Sequence, residues 1–250
     1  MKTGVDLLVV APHPDDAELF CGGLLALAAS RGQRAAILDL TEGELATRGS
    51  LERRAAEKLA ARAALGLHGR ENLYFPDGGI APHDPQQVEH LAHALRRWRP
   101  TILVGPWRHD RHPDHEATHQ LLRRAAFVAG LAKVMPSVSP HVPRALLWYP
   151  TRHLAEPSFV VDISAVVEQK RAAIACYASQ VGVDAAAAPT LLASAGSLPA
   201  LAARDAFYGA QIGAVAGEPY VGEQTLAIDD PVAHFGDHAR GPAQLFPERR

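Results

Sequence analysis

Cysteine is scarce in this sequence of 250 residues, and neither sign of charge is in excess. The two cysteines, Cys21 and Cys176, have no neighbour at the spacing of a metal or redox motif, which argues against a disulfide framework and a thiolate zinc site. Lysine and arginine together number 25, and aspartate and glutamate 27. Because nucleic acids and anionic membranes attract strongly basic faces, this balance argues against either as the main partner.

Long apolar runs are also missing. No stretch reaches the roughly 18 residues that a membrane-spanning helix needs. The first residues lead straight into a strand-like segment, without the apolar region of a signal peptide. We therefore expect a cytoplasmic protein with no membrane partner. Apolar residues nevertheless make up 48% of the chain, enough for a sizeable core.

The chain length suits one domain, which we expect over residues 1–229. The residues after Asp229 are rich in proline, glycine and histidine and show no hydrophobic periodicity. For residues 230–250 we therefore expect an irregular or partly disordered tail.

The first half of the chain alternates strand and helix patterns. Strands are predicted at residues 5–11, 34–40, 72–75 and 101–105, and helices at residues 16–30, 51–65 and 84–98. This repeated order predicts a Rossmann-like α/β fold, with a doubly wound, mostly parallel sheet and helices on both faces. The second half is less regular, with helices predicted at 117–132, 162–178 and 198–209, strands at 144–149 and 158–161, and an alanine-rich stretch at 184–197.

Two clusters of histidine and aspartate follow two of the predicted strands. The first is His13-Pro14-Asp15-Asp16, after the first strand, and the second covers residues 109–115, His-Asp-Arg-His-Pro-Asp-His, after the fourth strand. In a doubly wound sheet these two strands are commonly neighbours, and ligands bind beyond their carboxyl ends. A metal site is therefore predicted at the carboxyl ends of strands one and four.

The residue types suit a hydrolytic metal centre. His13, Asp16 and His115 form a two-histidine, one-carboxylate set that zinc uses with a position left open for water. Fe(II), Co(II) or Mn(II) would also accept these ligands. A lone His-Pro or Asp-Asp pair is often only a turn or a helix cap, but two such clusters beside each other favour the metal site.

Other residues of the two clusters suit supporting roles. Asp15 is adjacent to a ligand but points differently, which suits a general base that takes a proton from the attacking water. His112 could stabilise or protonate the tetrahedral intermediate. Asp114 could orient one of the histidines from behind.

The segments A-x-H-P-D-D (residues 11–16) and H-P-D-H (residues 112–115) resemble the LmbE-like or PIG-L-like metal-dependent deacetylases. The resemblance implies a zinc-dependent enzyme that removes acetyl groups from N-acetylglucosaminyl conjugates. It also implies the same roles for the same residues, with His13, Asp16 and His115 as zinc ligands, Asp15 as the base and His112 on the oxyanion. Relatives of this type form hexamers, so a homo-oligomer is implied as well.

Four further segments resemble the bacillithiol biosynthesis branch of this family: residues 41–49 (T-x-G-E-x-G-T-R-G), 72–78 (N-L-x-x-P-D-G), 177–180 (Y-x-S-Q) and 217–220 (G-E-x-F). This implies N-acetylglucosaminyl-malate as the substrate. The implied substrate-binding residues are Glu44, Arg48, Arg54 and Asp77. Two departures, Ala46 for the usual glycine and the Pro-Tyr pair at 219–220, bear on substrate specificity.

Three alternatives stay open. Within the same chemistry, the substrate could be a chitooligosaccharide, an inositol conjugate of the mycothiol type or another N-acetylated glycoside. From another class, the chain could be a Rossmann-like nucleotide-binding module, although it lacks a G-x-G-x-x-G turn after the first strand. It could also be a non-catalytic member of the family. Arg54 and Asp77 have structural alternatives, as a solvated helix residue and a turn former.

Overall fold

A computed structural model describes residues 4–153, 155–182, 188–225 and 227–230. The strands are β1 (Leu7–Ala11), β2 (Ala35–Asp39), β3 (Gly69–Asn72), β4 (Ile102–Pro106), β5 (Ala145–Tyr149), β6 (Phe159–Asp162) and β7 (Gly217–Gly222). The helices are α1 (Asp16–Ser30), α2 (Leu51–Leu65), α3 (Pro85–Trp98), α4 (Pro113–Gly130), α5 (Val167–Ala175), α6 (Ala178–Val181) and α7 (Ser197–Gln211), with a 3-10 turn at Ser164–Val166.

The strands form one sheet in the order β3-β2-β1-β4-β5-β7-β6. The first five strands are parallel, and β7 runs antiparallel to both β5 and β6. The predicted doubly wound, mostly parallel sheet is therefore confirmed. Strands β1 and β4 are neighbours, with Leu7 opposite Ile102 and Val9 opposite Val104.

The side chains of β1 face two separate cores, because successive residues of a strand point to opposite faces. Leu7, Val9 and Ala11 pack into a cluster with α1 and α5, while Leu8 and Val10 pack into one with α3 and α4. All five residues are buried. Both faces of the sheet are thus covered by helices, which explains why β1 is apolar throughout.

The predicted third strand was misplaced. The structure puts β3 at Gly69–Asn72, with Asn72 opposite Asp39, and the predicted residues 73–75 lie in the loop that follows. Tyr74 has φ of 57°, which breaks an extended conformation. The true strand is polar because Arg70 forms buried ion pairs with Asp39 and Glu18.

Helix α4 begins at Pro113, four residues before its predicted start. Proline suits the first turn of a helix, and the preceding His112 caps it. The helix predicted over residues 162–178 is broken into the 3-10 turn, α5 and α6. Strand β7 was not predicted as a strand, because Gly217 and Pro219 are poor strand residues. It pairs with β5 at residues 221 and 222, whereas Pro219 pairs with Val160 of β6.

Two predictions concern segments that fall partly or wholly outside the described residues. Of the alanine-rich stretch, residues 184–187 lie outside them, and residues 188–196 form turns and irregular structure before α7. The tail prediction for residues 230–250 lies outside the described residues except for Asp230. None of the helices in the described residues combines the length and the apolar character that spanning a bilayer requires.

Candidate metal centre

The pairing of β1 with β4 brings the two histidine-aspartate clusters together. The segment after β1 carries His13, Asp15 and Asp16, and the segment after β4 carries His112 and His115. Ring centroids of His13 and His115 lie 5.6 Å apart, although the residues are about a hundred positions apart in sequence. The predicted convergence at the carboxyl ends of these strands is confirmed.

One oxygen of Asp16 lies between the two predicted histidine ligands. Its Oδ2 is 3.2 Å from Nδ1 of His13 and 3.2 Å from Nε2 of His115. Ligand atoms about 2.0–2.1 Å from a tetrahedral zinc are about 3.3 Å apart. Each of these two contacts therefore has the length expected between neighbouring ligands of one ion.

The other ring nitrogen of His13, Nε2, points away from Asp16 and faces two further carboxylates. Its Nε2 lies 3.1 Å from Oδ2 of Asp114 and 3.1 Å from Oδ1 of Asp77. Nδ1, on the opposite side of the ring, is the nitrogen that faces Asp16. Asp114 also accepts a hydrogen bond from the backbone of Gly78, which fixes the carboxylate. The structure thus places Asp114 against Nε2 of His13, and its role in orienting a metal ligand stays a prediction.

His115 has the same arrangement, through a residue that the sequence analysis did not single out. Its Nδ1 lies 2.8 Å from Oδ2 of Asp110, so Nε2 is the nitrogen facing Asp16. Thr151 donates a hydrogen bond to the same oxygen of Asp110, and the other oxygen accepts from the backbone of His112. The signal was present, because Asp110 lies in the second cluster at five residues from His115.

Several groupings of histidine and aspartate lie close together here, and which of them holds a metal ion stays a prediction. The Nδ1/Nε2 atoms of His13, His112 and His115 lie within 4.8 Å of one another, as do ligand atoms of His13, Asp77 and Asp114. The second grouping would need Nε2 of His13, which its carboxylates already occupy. In the set with Asp16, each histidine turns one ring nitrogen towards the same Asp16 oxygen and has the other held by a carboxylate, which is how metal-binding histidines are commonly oriented.

The electrostatics of this cluster favour a cation. Although burial alone would lower it, Asp16 and Asp110 raise the pKa of His115 to about 9. Burial alone would raise the pKa of Asp16, but His115 and His13 hold it well below its usual range. A site that favours positive charge on its histidines also favours a divalent cation. The residues present therefore fit a divalent metal ion.

Asp15 lies beside the ligand set in a strained conformation. Its φ is 115°, which is uncommon for a residue with a side chain, and its carboxylate makes no capping hydrogen bond to α1. Burial and the neighbouring charge of Asp16 raise the pKa of Asp15 to about 7, although Arg54 opposes this. Asp15 lines the cleft above the cluster.

His112 is held by its own helix. Its Nδ1 accepts a hydrogen bond of 3.3 Å from the backbone N–H of Asp114, so the neutral ring carries its proton on Nε2. Burial, together with the charges of His13 and His115, lowers the pKa of His112. The residue lines the cleft and is only partly buried, so its Nε2–H can serve as a hydrogen-bond donor.

The four residues implied to bind substrate have partners within the protein. Arg54 is buried and donates to the backbone oxygens of Gly43 and Pro14, with Asp15 Oδ2 3.5 Å away. Arg48 donates to the backbone oxygen of Gly182.

The other two of these residues join the loop after β2 to the loop after β3. Glu44 accepts from the backbone of Asp77, and Asp77 accepts from the backbone of Leu45. Arg54, Asp77 and Leu45 nevertheless line the cleft. Their contacts indicate that they shape its walls, and direct contact with a substrate stays a prediction.

The cleft above the cluster has a volume of about 430 Å³. Arg111 and Arg152 line it together, and neither was singled out from the sequence. Burial and the like charge of Arg111 lower the pKa of Arg152. The negative charges of Asp110 and Asp16 partly oppose this lowering. Gln180 also lines the cleft and donates to the backbone of Arg48.

The chain matches the family model described as PIG-L: GlcNAc-PI de-N-acetylase over residues 8–126. This range contains every residue of both clusters. The matched range therefore includes the candidate metal ligands, together with β4 and nearly all of β1.

Several characterised proteins are similar over most of the chain. A 2'-N-acetylparomamine deacetylase from Streptomyces fradiae is 30% identical, across 69% of this chain and 72% of that protein. A diacetylchitobiose deacetylase from Thermococcus kodakarensis is 29% identical, across 71% of each. Among solved structures, the conserved protein TT1542 from Thermus thermophilus is 42% identical with a TM-score of 0.82, covering 90% of this chain and 98% of that one.

Proposed function

The chain belongs to the PIG-L family of de-N-acetylases, and from this premise we propose that it hydrolyses the acetamide of an N-acetylglucosaminyl conjugate, with zinc as its metal. The products are acetate and the free amine. The observation that carries this proposal is that one oxygen of Asp16, Oδ2, lies 3.2 Å from Nδ1 of His13 and 3.2 Å from Nε2 of His115. The other ring nitrogens of the two histidines lie against Asp114 and Asp110.

His13, Asp16 and His115 would hold the ion. A zinc ion bound there would polarise the amide carbonyl and lower the pKa of a water molecule. The protein's own part is to fix the three ligands, and Asp110 and Asp114 do so by holding the histidine rings.

Asp15 and His112 handle the proton and the developing negative charge. The carboxylate of Asp15 faces the cleft and accepts a proton from the attacking water, then returns it to the departing nitrogen. His112 donates its Nε2–H to the carbonyl oxygen as negative charge develops there, because its Nδ1 already accepts from the helix. Arg54 holds the backbone of the residue before Asp15 and so steadies the base.

The finer proposal is that the conjugate carries carboxylates, with N-acetylglucosaminyl-malate as the preferred substrate. Support comes from Arg111 and Arg152, two like charges that line one cleft and repel each other. An anionic group between them would relieve that repulsion and gain charge-assisted hydrogen bonds. The resemblance of residues 41–49 and 72–78 to the bacillithiol branch points to the same substrate.

A substrate panel tests both levels of the proposal. The metal-stripped protein, with and without added zinc, is assayed for acetate release from N-acetylglucosaminyl-malate, N-acetylglucosaminyl-inositol and N,N'-diacetylchitobiose. Zinc-dependent release from any of them supports the deacetylase, and release from none overturns it. Preference for a neutral conjugate would reject the malate assignment alone.

Arg152→Met sharpens the malate assignment. We expect it to lower kcat/KM for the malate conjugate by roughly tenfold or more, because a charge-assisted hydrogen bond is lost. For N,N'-diacetylchitobiose the value should change little. Equal losses on both substrates would show that Arg152 acts on the cleft as a whole and recognises no anion.

A further inference from the structure

A second, smaller cavity adjoins the cleft. Its volume is about 140 Å³. Five residues line both spaces: Leu19, Phe20, Thr151, Arg152 and Leu192. We name this space the side pocket; its other wall is the first turns of α7, from Ser197 to Arg204.

The side pocket begins close to the metal ligands. Thr151 lines it and donates a hydrogen bond to Asp110, the carboxylate bonded to His115. Leu19 and Phe20 lie on α1, one turn after Asp15 and Asp16. A group attached to a substrate in the cleft therefore has only a short distance to cover to enter the pocket.

The walls of the pocket are apolar. Six of its ten lining residues are apolar: Leu19, Phe20, Leu192, Leu198, Ala200 and Leu201. Leu198 is 38% exposed although it is a large apolar residue. Sugar hydroxyls would find few partners here, whereas an apolar cavity of about 150 Å³ is known to take a molecule of the size of benzene.

The polar groups at the rim already have partners. Arg204 donates to the backbone oxygen of Pro150, and its guanidinium lies 5.5 Å from the ring centroid of Phe20. Arg152 donates to the hydroxyl of Ser197, across the boundary between cleft and pocket. These contacts leave the interior of the pocket to apolar side chains.

We propose that the side pocket binds an apolar group of about six carbons carried by the substrate. This inference rests on the proposed function, and it deepens it by assigning a specificity subsite. Two parts of a substrate could carry such a group: the N-acyl chain that is removed, or the aglycone of the sugar. The chemistry that recognises them is the same, and the experiment distinguishes the two.

Two substrate series on glucosamine separate these sources. The first compares N-acetyl with N-hexanoyl at a constant methyl aglycone, and the second compares methyl with hexyl glycosides of N-acetylglucosamine. Since each buried methylene contributes roughly a fourfold gain, we expect kcat/KM to rise at least tenfold in one series. A rise in the first series identifies the acyl chain, and a rise in the second identifies the aglycone.

A matched pair of variants ties the gain to the pocket. Ala200→Phe fills the pocket from α7, and Ala203→Phe makes the same change on the same helix at an exposed residue that lines neither space. Ala200 is exposed, so the fold should tolerate the larger ring, which a melting curve checks. We expect Ala200→Phe to remove the gain while turnover of the methyl glycoside of N-acetylglucosamine persists, and Ala203→Phe to keep it.

The outcomes separate the two proposals. Turnover of the methyl glycoside of N-acetylglucosamine with no gain in either series would overturn the side-pocket proposal alone. A gain that survives Ala200→Phe would overturn it as well. Absence of zinc-dependent hydrolysis for every N-acylglucosamine would instead overturn the proposed function, and the side-pocket proposal would fall with it.

Discussion

Two adjacent aspartates in this site have different surroundings, and we therefore propose different roles for them. Asp16 contacts both predicted histidine ligands through one oxygen. Asp15 contacts neither, has a strained backbone and lines the open cleft. The sequence distinguishes them by position, since only Asp16 lies three residues after His13, and the structure supplies the contacts.

Replacing each aspartate by asparagine should give different losses. Asp15→Asn should lower kcat by about 10²–10⁴-fold, because a positioned general base contributes on that order, while one zinc per chain is retained. Asp16→Asn should reduce both zinc content and activity. Elemental analysis beside steady-state kinetics measures both quantities. Unchanged turnover in Asp15→Asn would remove it as the base.

Asp110 was not singled out from the sequence, but the structure places its carboxylate against the predicted ligand His115. It accepts hydrogen bonds from His115 Nδ1, the Thr151 hydroxyl and the backbone of His112. Asp110→Asn should weaken zinc binding by about 10–100-fold, because the amide cannot hold the His115 ring in the same way.

Competition with a chromophoric chelator measures that zinc affinity. Asp84→Asn serves as the matched control, since Asp84 caps α3 outside the cleft and asparagine caps a helix equally well. If Asp110→Asn kept the zinc affinity of the parent, the geometry of Asp110 would have no bearing on the metal.

At the scale of elements, α1 is held by contacts that only the fold reveals. Its residues Gly23 and Leu24 donate backbone hydrogen bonds to the carboxylate of Glu218, which is fully buried on β7. Glu218 belongs to the segment, residues 217–220, that resembles a family motif. In the structure it also pairs with Lys170.

Gly23→Ala tests how closely α1 packs at this point. Helix propensity alone would stabilise the protein by about 1 kcal/mol. A Cβ at Gly23, however, would lie 2.5 Å from Cγ2 of Ile163, within a packed core. We expect overpacking to prevail and to lower the free energy of unfolding by about 1–3 kcal/mol, as urea denaturation would measure. A stabilised variant would show that α1 can move away from Ile163.

The elements that could be predicted are those whose signals are local. Helices α1 and α2 begin and end where their periodicity and the following glycines indicate. Strand β3 was misplaced because its polar residues are paired with distant charges on α1 and β2. Strand β7 was missed because it contains proline and glycine, and its partner β6 is some sixty residues earlier in the chain.

At the scale of the whole molecule, the order of the strands determines where the candidate metal centre lies. The chain winds outward from β1 to β3 and then returns to β4, so the ends of β1 and β4 enclose one crevice. Alternation of strands and helices predicts this arrangement, and with it the meeting of the two clusters. The side pocket could not be predicted, because its walls come from α1 and α7, which are far apart in the sequence.

The position of a bound zinc ion tests the central claim most directly. Crystals grown with zinc and measured at its absorption edge should show one anomalous peak per chain, about 2.0–2.1 Å from Nδ1 of His13, Oδ2 of Asp16 and Nε2 of His115. A peak between His13, Asp77 and Asp114, or no peak at this cluster, would contradict the account.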